Sequence, residues 1–247
     1  MKTISIVGFG RFGRVLYKLL KHDFKIIIYN KSLIEKSFKF NLNTKVANII
    51  EDVYRSEIIF YSVPIDTFEQ VISSHKRFFN NKHLLIDLLS VKIYPSKIFS
   101  KYLKNTKVQA MLTHPMFGPD SSKQGFKNLP IIIDKFKADK SNYYFWKNYF
   151  IKKKLNVMEM SAKEHDKLAA NSQGLTHFVG RLLDEYDIQQ TKIDSLGTKK
   201  LMEVKNLTCS DSWQLFSDIQ NYNPYAKKMR IKLVRIFEKL NKKINLN

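Results

Sequence analysis

The 247-residue chain is almost without cysteine. Cys209 stands alone, which excludes an internal disulfide and any cysteine-based metal cluster, and no metal is expected. The expected compartment is a reducing one, the cytoplasm. Long apolar runs are missing too. Nothing reaches the roughly 18 consecutive residues of a membrane span, so no membrane partner is expected. Residues 1–7 lack the apolar stretch and small-residue cleavage site of a secretory leader. Arginine is scarce, supplying seven of the 43 basic residues behind a net charge of +21. Readers of nucleic acid concentrate arginine on one element, because its planar fork bonds bidentately. Here the lysines are spread from end to end. The charge therefore reads as solvated surface that also draws anionic small molecules, and no nucleic-acid partner is expected.

What is present is an alternation. Residues 3–7, 25–29, 57–63, 84–88 and 108–113 are short, nearly continuous apolar runs rich in Ile, Val, Leu and Phe. Strands buried on both faces of a parallel sheet must look like this. Helical spacing fills residues 11–22, 65–78 and 96–102 between them. Further strands are expected at 130–136 and 156–160, around a helix at 142–150. The pattern predicts an α/β fold, a Rossmann-type doubly wound and mostly parallel sheet over residues 1–160. Residues 161–247 turn all-helical, with one long helix over 162–188 and others near 197–205, 212–220 and 224–241. Pro224 suits a first helical turn, where its missing N–H costs nothing. The apolar content of this second domain is large for its size, so a homodimer through its helices is expected.

Three of the eight glycines fall in one hexapeptide, Gly8-Phe9-Gly10-Arg11-Phe12-Gly13. It follows a strand and opens a helix, the context in which G-x-G-x-x-G binds a dinucleotide. The glycines allow a tight turn, close approach of the pyrophosphate, and close helix–strand packing. The helix N-terminus adds unpaired N–H groups and a positive dipole end. Arg11 and Phe12 are expected to join the cofactor-binding set, as are Ser62 and Pro64 beyond the 57–63 strand. The end of the second strand selects the nucleotide. NAD sites carry an acidic residue there to accept from the ribose 2′-hydroxyl. This chain has Asn30-Lys31-Ser32 instead, with nothing to repel a 2′-phosphate, so NADP is expected rather than NAD.

His114 stands at the end of the 108–113 strand, within Thr113-His114-Pro115-Met116-Phe117-Gly118-Pro119-Asp120-Ser121. Ligands of open α/β sheets bind beyond the carboxyl ends of strands. An imidazole there, with an ordinary pKa of about 6.5, suits proton transfer at neutral pH. Ser90, in Asp87-Leu88-Leu89-Ser90-Val91-Lys92, ends the neighbouring strand and is expected at the same crevice. Gln173 and His177 lie four apart on one helix face, with Thr176 beside them. Asp211 precedes a predicted helix and suits capping as well as binding.

Together these segments resemble the prephenate and arogenate dehydrogenases, especially the plant-type arogenate branch. The resemblance runs through the glycine motif, residues 87–92, 113–121 with Lys123 and Gly125, 159–167, 172–177 and 208–212. It implies an oxidative decarboxylation. The ring C4 gives hydride to the nicotinamide, its hydroxyl loses a proton, and carbon dioxide leaves as the ring becomes aromatic. The resemblance implies His114 as the base on that hydroxyl and Ser90 as its positioning partner. Gln173, Thr176 and His177 would bind substrate, and Asp211 would face the ammonium that distinguishes arogenate from prephenate. Arogenate dehydrogenase is the expected activity; the alternatives are a prephenate dehydrogenase and a non-catalytic NADP-binding sensor. Many bacterial members carry an arginine where this chain has Leu207, which leaves the substrate's carboxylate clamp open among Lys123, Arg181, Lys200 and Lys205. His165 and Asp166 read as a cap on the long helix.

Overall fold

The computed structural model describes residues 1–35 and 37–244. These divide into two compact units, Met1–Ala162 and Lys163–Asn247. In the first, eight strands form one sheet in the order β3-β2-β1-β4-β5-β6-β7-β8. They are β1 (Thr3–Val7), β2 (Lys25–Tyr29), β3 (Thr44–Val46), β4 (Ile58–Tyr61), β5 (Leu84–Asp87), β6 (Gln109–Pro115), β7 (Pro130–Asp134) and β8 (Asn156–Glu159). The chain builds outward from β1 to β3, returns to the centre, and builds the other way from β4. That reversal puts the topological switch between β1 and β4. Pairing is parallel except for β6 with β7, where His114 lies opposite Ile132.

Every residue of β4 and of β5 is buried, as their apolar runs require, and the burial extends to Asp87 at the end of β5. Helices α1 (Arg11–Leu20), α2 (Phe68–His75), α3 (Ile93–Tyr102) and α4 (Lys140–Lys152) complete this unit. Trp146 of α4 is fully buried, packing edge-on against Phe60 at 4.8 Å and stacking on Phe24 at 5.5 Å. A fully buried aromatic or branched aliphatic side chain of this kind contributes about 1.5–3 kcal/mol. Asp139 caps α4 by accepting from the Asn142 N–H at 2.7 Å.

Two local differences from the sequence reading appear here. A short edge strand, β3, and a 3-10 turn (Ile50–Arg55) occupy the stretch before β4. Helix α2 starts later than expected, at Phe68, and tightens to a 3-10 turn over Lys76–Phe78.

The second unit is helical: α5 (Ala162–Ala169), α6 (Leu175–Glu185), α7 (Leu196–Cys209), α8 (Trp213–Tyr222) and α9 (Ala226–Ile244). The single helix expected over 162–188 is a correction. A π turn, Ala170–Gly174, interrupts it, and it stops at Glu185. The wider turn leaves the Gly174 carbonyl to accept from the Gln220 side chain of α8 at 2.8 Å. Arg230 of α9 bonds both the side chain and the carbonyl of Gln220. A tertiary clamp thus holds the irregularity that local sequence does not reveal. Helices α6 and α7 approach closely at Gly180, where a Cβ would stand 3.0 Å from the Cβ of Thr208. No helix among the described residues is long and apolar enough to cross a membrane.

Candidate active site

The glycine turn sits at the β1/β4 switch. Gly8 has φ +94°, and a Cβ there would overlap the Ser62 carbonyl beyond β4. Gly13, in the first turns of α1, would press a Cβ into the Gly8 carbonyl group, 3.1 Å from its carbon. Gly10 differs from both: its Cβ would meet nothing within 4 Å. It is the N-cap of α1 in extended geometry and brings no side chain of its own to the helix's leading N–H groups. Two glycines are thus needed to fold the turn, and the third keeps its outer side open. This is the shape and donor set that a pyrophosphate needs.

Around the turn, the Phe9 N–H donates to Asn30 Oδ1 at 2.8 Å, and Asn30 Nδ2 donates to the Ser32 carbonyl. The Asn30 amide therefore braces the two loops with both ends, while the side chains of Lys31 and Ser32 stay exposed. Phe12 packs on Phe117 at 6.0 Å, and Arg11 reaches Asp120 at 3.4 Å. The loop after β6 is drawn by these contacts toward the N-terminus of α1. Ser62 backs the turn, its N–H donating to the Val7 carbonyl. Pro64 is exposed, and its carbonyl accepts from Thr67.

Strands β5 and β6 run parallel, with Asp87 beside Leu112, so the Ser90 loop and His114 both emerge at the sheet's carboxyl edge. A buried clamp ties them together. Asp87 accepts from Lys92 Nζ, from the Leu89 N–H at 3.1 Å and from the Thr113 N–H at 3.3 Å. Lys92 Nζ also donates to the Thr113 carbonyl, and Thr113 Oγ1 donates to the Asp87 carbonyl at 2.6 Å. Burial pushes the Asp87 carboxyl up to about 6 against the pull of the Lys92 ammonium and the backbone N–H groups. The sequence reading singled out Ser90 and missed this pair. An aspartate and a lysine five residues apart in an otherwise apolar strand end were the available signal. His114 itself is buried, 2% exposed.

In the second unit, His177 is buried on α6, with Gln173 one turn earlier in the π turn and Arg181 one turn later. Burial holds the His177 imidazole below its ordinary pKa, with Asp211 pulling upward and Arg181 pushing down. The carboxylate and the guanidinium thus both lie close enough to act on His177. Thr176 is set apart: it is exposed and donates to the Ser172 carbonyl of its own helix. Asp211 does not hold the N-cap position of α8. Ser212 does, accepting from the Leu215 N–H at 3.2 Å. His165 and Asp166, expected at the start of the helix, lie inside α5. They form a buried pair at 2.8 Å. Among the described residues, no three His, Cys, Asp or Glu converge on a metal position.

Comparison with known proteins gives this arrangement a family. Residues 18–157 match the model for the prephenate dehydrogenase nucleotide-binding domain, and residues 182–246 match a TYRAAT1-like C-terminal domain. Arogenate dehydrogenase 2, chloroplastic, of Arabidopsis thaliana is 30% identical over 98% of this chain and 69% of its own length. Arogenate dehydrogenase 1, chloroplastic, of the same plant is 33% identical over 96% of this chain, which spans only 38% of that longer relative. Prephenate dehydrogenase from A. aeolicus, solved with hydroxyphenyl propionate and NAD+, shares the fold. Its TM-score is 0.70 at 19% identity, over 99% of this chain and 90% of that one. The chain belongs to the prephenate dehydrogenase family of oxidoreductases.

Proposed function

We propose that the protein oxidatively decarboxylates arogenate to tyrosine with NADP as hydride acceptor. The observation that carries this reading is the carboxyl edge of the sheet. The open side of Gly10 at the β1/β4 switch lies along the same edge as Ser90 and His114 at the ends of β5 and β6. Both plant relatives at 30% identity or above are named arogenate dehydrogenases, which supports the substrate.

Gly10 and the leading N–H groups of α1 would hold the pyrophosphate, with Arg11, Phe12, Ser62 and Pro64 bordering it. Lys31 and Ser32, without a carboxylate beside them, favour the 2′-phosphate of NADP. The nicotinamide, when bound, supplies the hydride acceptor. His114 accepts a hydrogen bond from the substrate hydroxyl as its carbon is oxidised, then returns the proton to that same oxygen as the ring aromatises. The atoms balance: the hydride and carbon dioxide leave, and the phenol keeps its hydrogen. Ser90 orients the imidazole or the hydroxyl, and the Asp87–Lys92 pair fixes the spacing of the two loops. Gln173 and His177 contact the substrate, and Asp211 faces its ammonium. A keto acid offers Asp211 nothing to bind.

The exposed apolar side chains of α9, among them Val234, Phe237 and Leu240, favour a homodimer through the helical unit. The free thiol of Cys209 suits a reducing compartment such as the cytoplasm. An assay crossing arogenate and prephenate with NADP and NAD tests the reading, and the arogenate–NADP pair is expected to turn over fastest. A preference for prephenate or for NAD overturns the corresponding half of the proposal. Coenzyme binding with no turnover of either substrate favours a sensor.

A further inference from the structure

Three successive turns of helix present buried polar atoms that lack any hydrogen-bond partner: Gln173 Oε1, His177 Nδ1 and Arg181 Nε. Residues four apart share a helix face. Native proteins rarely leave buried donors and acceptors unpaired, and a cluster of them on one stripe marks a place for a polar ligand.

The Arg181 guanidinium is the most constrained of the three. Its Nη2 donates to the Asp211 carbonyl at 2.6 Å, and its plane is flanked by the rings of Trp213 at 5.5 Å and Phe216 at 5.7 Å. Its side chain is 14% exposed, and Asp184 approaches its Nη1 only to 4.0 Å. The cation is held by its Nη2 and by both rings, while its Nε has no partner. The other cations that could hold a substrate carboxylate are engaged elsewhere. Lys123 pairs with Asp120 at 2.8 Å, Lys200 with Glu203 at 3.2 Å, and Lys205 with Asp184 at 3.4 Å.

We infer that Arg181 is the specificity residue that binds the carboxylate of the substrate's amino-acid end, donating from its Nε. This rests on the reading above, in which Asp211 faces the ammonium. An α-amino acid carries its ammonium and carboxylate on one carbon, so the groups that recognise them must be neighbours in the fold. Arg181 and Asp211 are joined directly through the Asp211 carbonyl. That contact sets the guanidinium edge, with its unpartnered Nε, beside Asp211, a paired recognition that a keto acid half-satisfies.

The test is calorimetric binding to the full chain with saturating NADP, which needs no turnover. Three probes are compared: tyrosine, tyramine (which lacks the carboxylate) and 3-(4-hydroxyphenyl)propionate (which lacks the ammonium). Arg181→Gln is expected to weaken tyrosine and the propionate about 10- to 100-fold, the worth of a charged hydrogen bond. Tyramine should stay within about twofold, because it offers no carboxylate to lose. Arg181→Lys keeps the charge without the fork and is expected to recover part of the loss. It also serves as the comparison should Arg181→Gln fail to fold. Equal weakening of all three probes would make Arg181 a structural prop and overturn the inference while leaving the proposed reaction standing. A wild-type protein that binds tyramine as tightly as tyrosine overturns it as well. If the wild type binds none of the probes, the substrate reading falls and takes the inference with it.

Discussion

Replacing Gly10 and Gly13 separately by alanine should divide the glycine turn into a part that folds and a part that binds. Gly10 has φ −71° and ψ −161°, which alanine adopts without strain, and its Cβ would meet no atom within 4 Å. Losing glycine at an N-cap costs up to about 1 kcal/mol, and reduced freedom of the unfolded chain returns about 0.4–1 kcal/mol. Stability should therefore change by less than about 1 kcal/mol, a melting shift of no more than about 2–4 °C for a chain of this size. The methyl group would instead stand where the pyrophosphate approaches. Overpacking of about 1–3 kcal/mol corresponds to coenzyme binding weakened by about 5- to 150-fold. Gly13→Ala is the opposite case. Its Cβ would collide with the backbone carbonyl of Gly8, which cannot swing aside as a side chain would. About 3 kcal/mol or more should be lost, lowering the melting point by about 6–12 °C. Thermal unfolding without coenzyme and calorimetric titration with NADP read the two effects independently. If Gly10→Ala binds NADP like the wild type, or melts as early as Gly13→Ala, the coenzyme does not cross the open side of this turn and the reasoning fails.

Four further outcomes are expected. His114→Asn should leave NADP affinity within a few-fold and lower turnover by about 100- to 10,000-fold; retained turnover would remove His114 from the chemistry. Asp211→Asn should raise the kcat/KM ratio of prephenate to arogenate by about tenfold or more, the loss of one charged contact, and an unchanged ratio would separate Asp211 from specificity. Lys92→Met leaves the Asp87 carboxyl buried without its cation, which should cost about 3–5 kcal/mol in chemical denaturation. Asp87→Asn in the same chain should recover much of that, and no recovery would show that the two do not act as a pair. His75, paired with Tyr54 at 2.7 Å, is pushed down to about 4 by burial and by Arg77. The neutral ring is the form that the fold favours, so its stabilisation is complete above pH 6.5 and lost as pH falls through about 4. A drop from 6.5 to about 4 corresponds to about 3 kcal/mol, or about 2 after solvent screening. Urea midpoints at pH 7 and pH 4 should converge in His75→Asn relative to the wild type, and an identical acid sensitivity would count against the assignment.

The parts that the sequence revealed are those whose physics is local. Strands β4 and β5 are apolar up to Asp87 because both faces are covered, and the glycine turn announces itself by spacing alone. The π turn is different, because it depends on Gln220, 46 residues downstream of Gly174, and on Arg230 behind it. Residues 170–174 taken alone read as ordinary helix. The edge strand β3 has two exposed residues out of three, too short a pattern to register. At the start of α8, Asp211 and Ser212 are adjacent and both are good caps, and only the backbone geometry shows that Ser212 takes the role. Arg181 was visible as one cation among several. It was singled out only when the structure showed that Lys123, Lys200 and Lys205 were already bound.

The π turn has a consequence for how this helix can vary. A turn closed i→i+5 takes up one residue more than an α turn, which winds by about 100° per residue, so the helix beyond it keeps its direction. Deleting a single residue between 170 and 174 would restore α winding and leave His177 and Arg181 on nearly the same bearing, but it would remove the freed carbonyl that Gln220 grips. A one-residue gap at this point among relatives would therefore mark the loss of the grip from Gln220 and Arg230 rather than a new face presented by the helix.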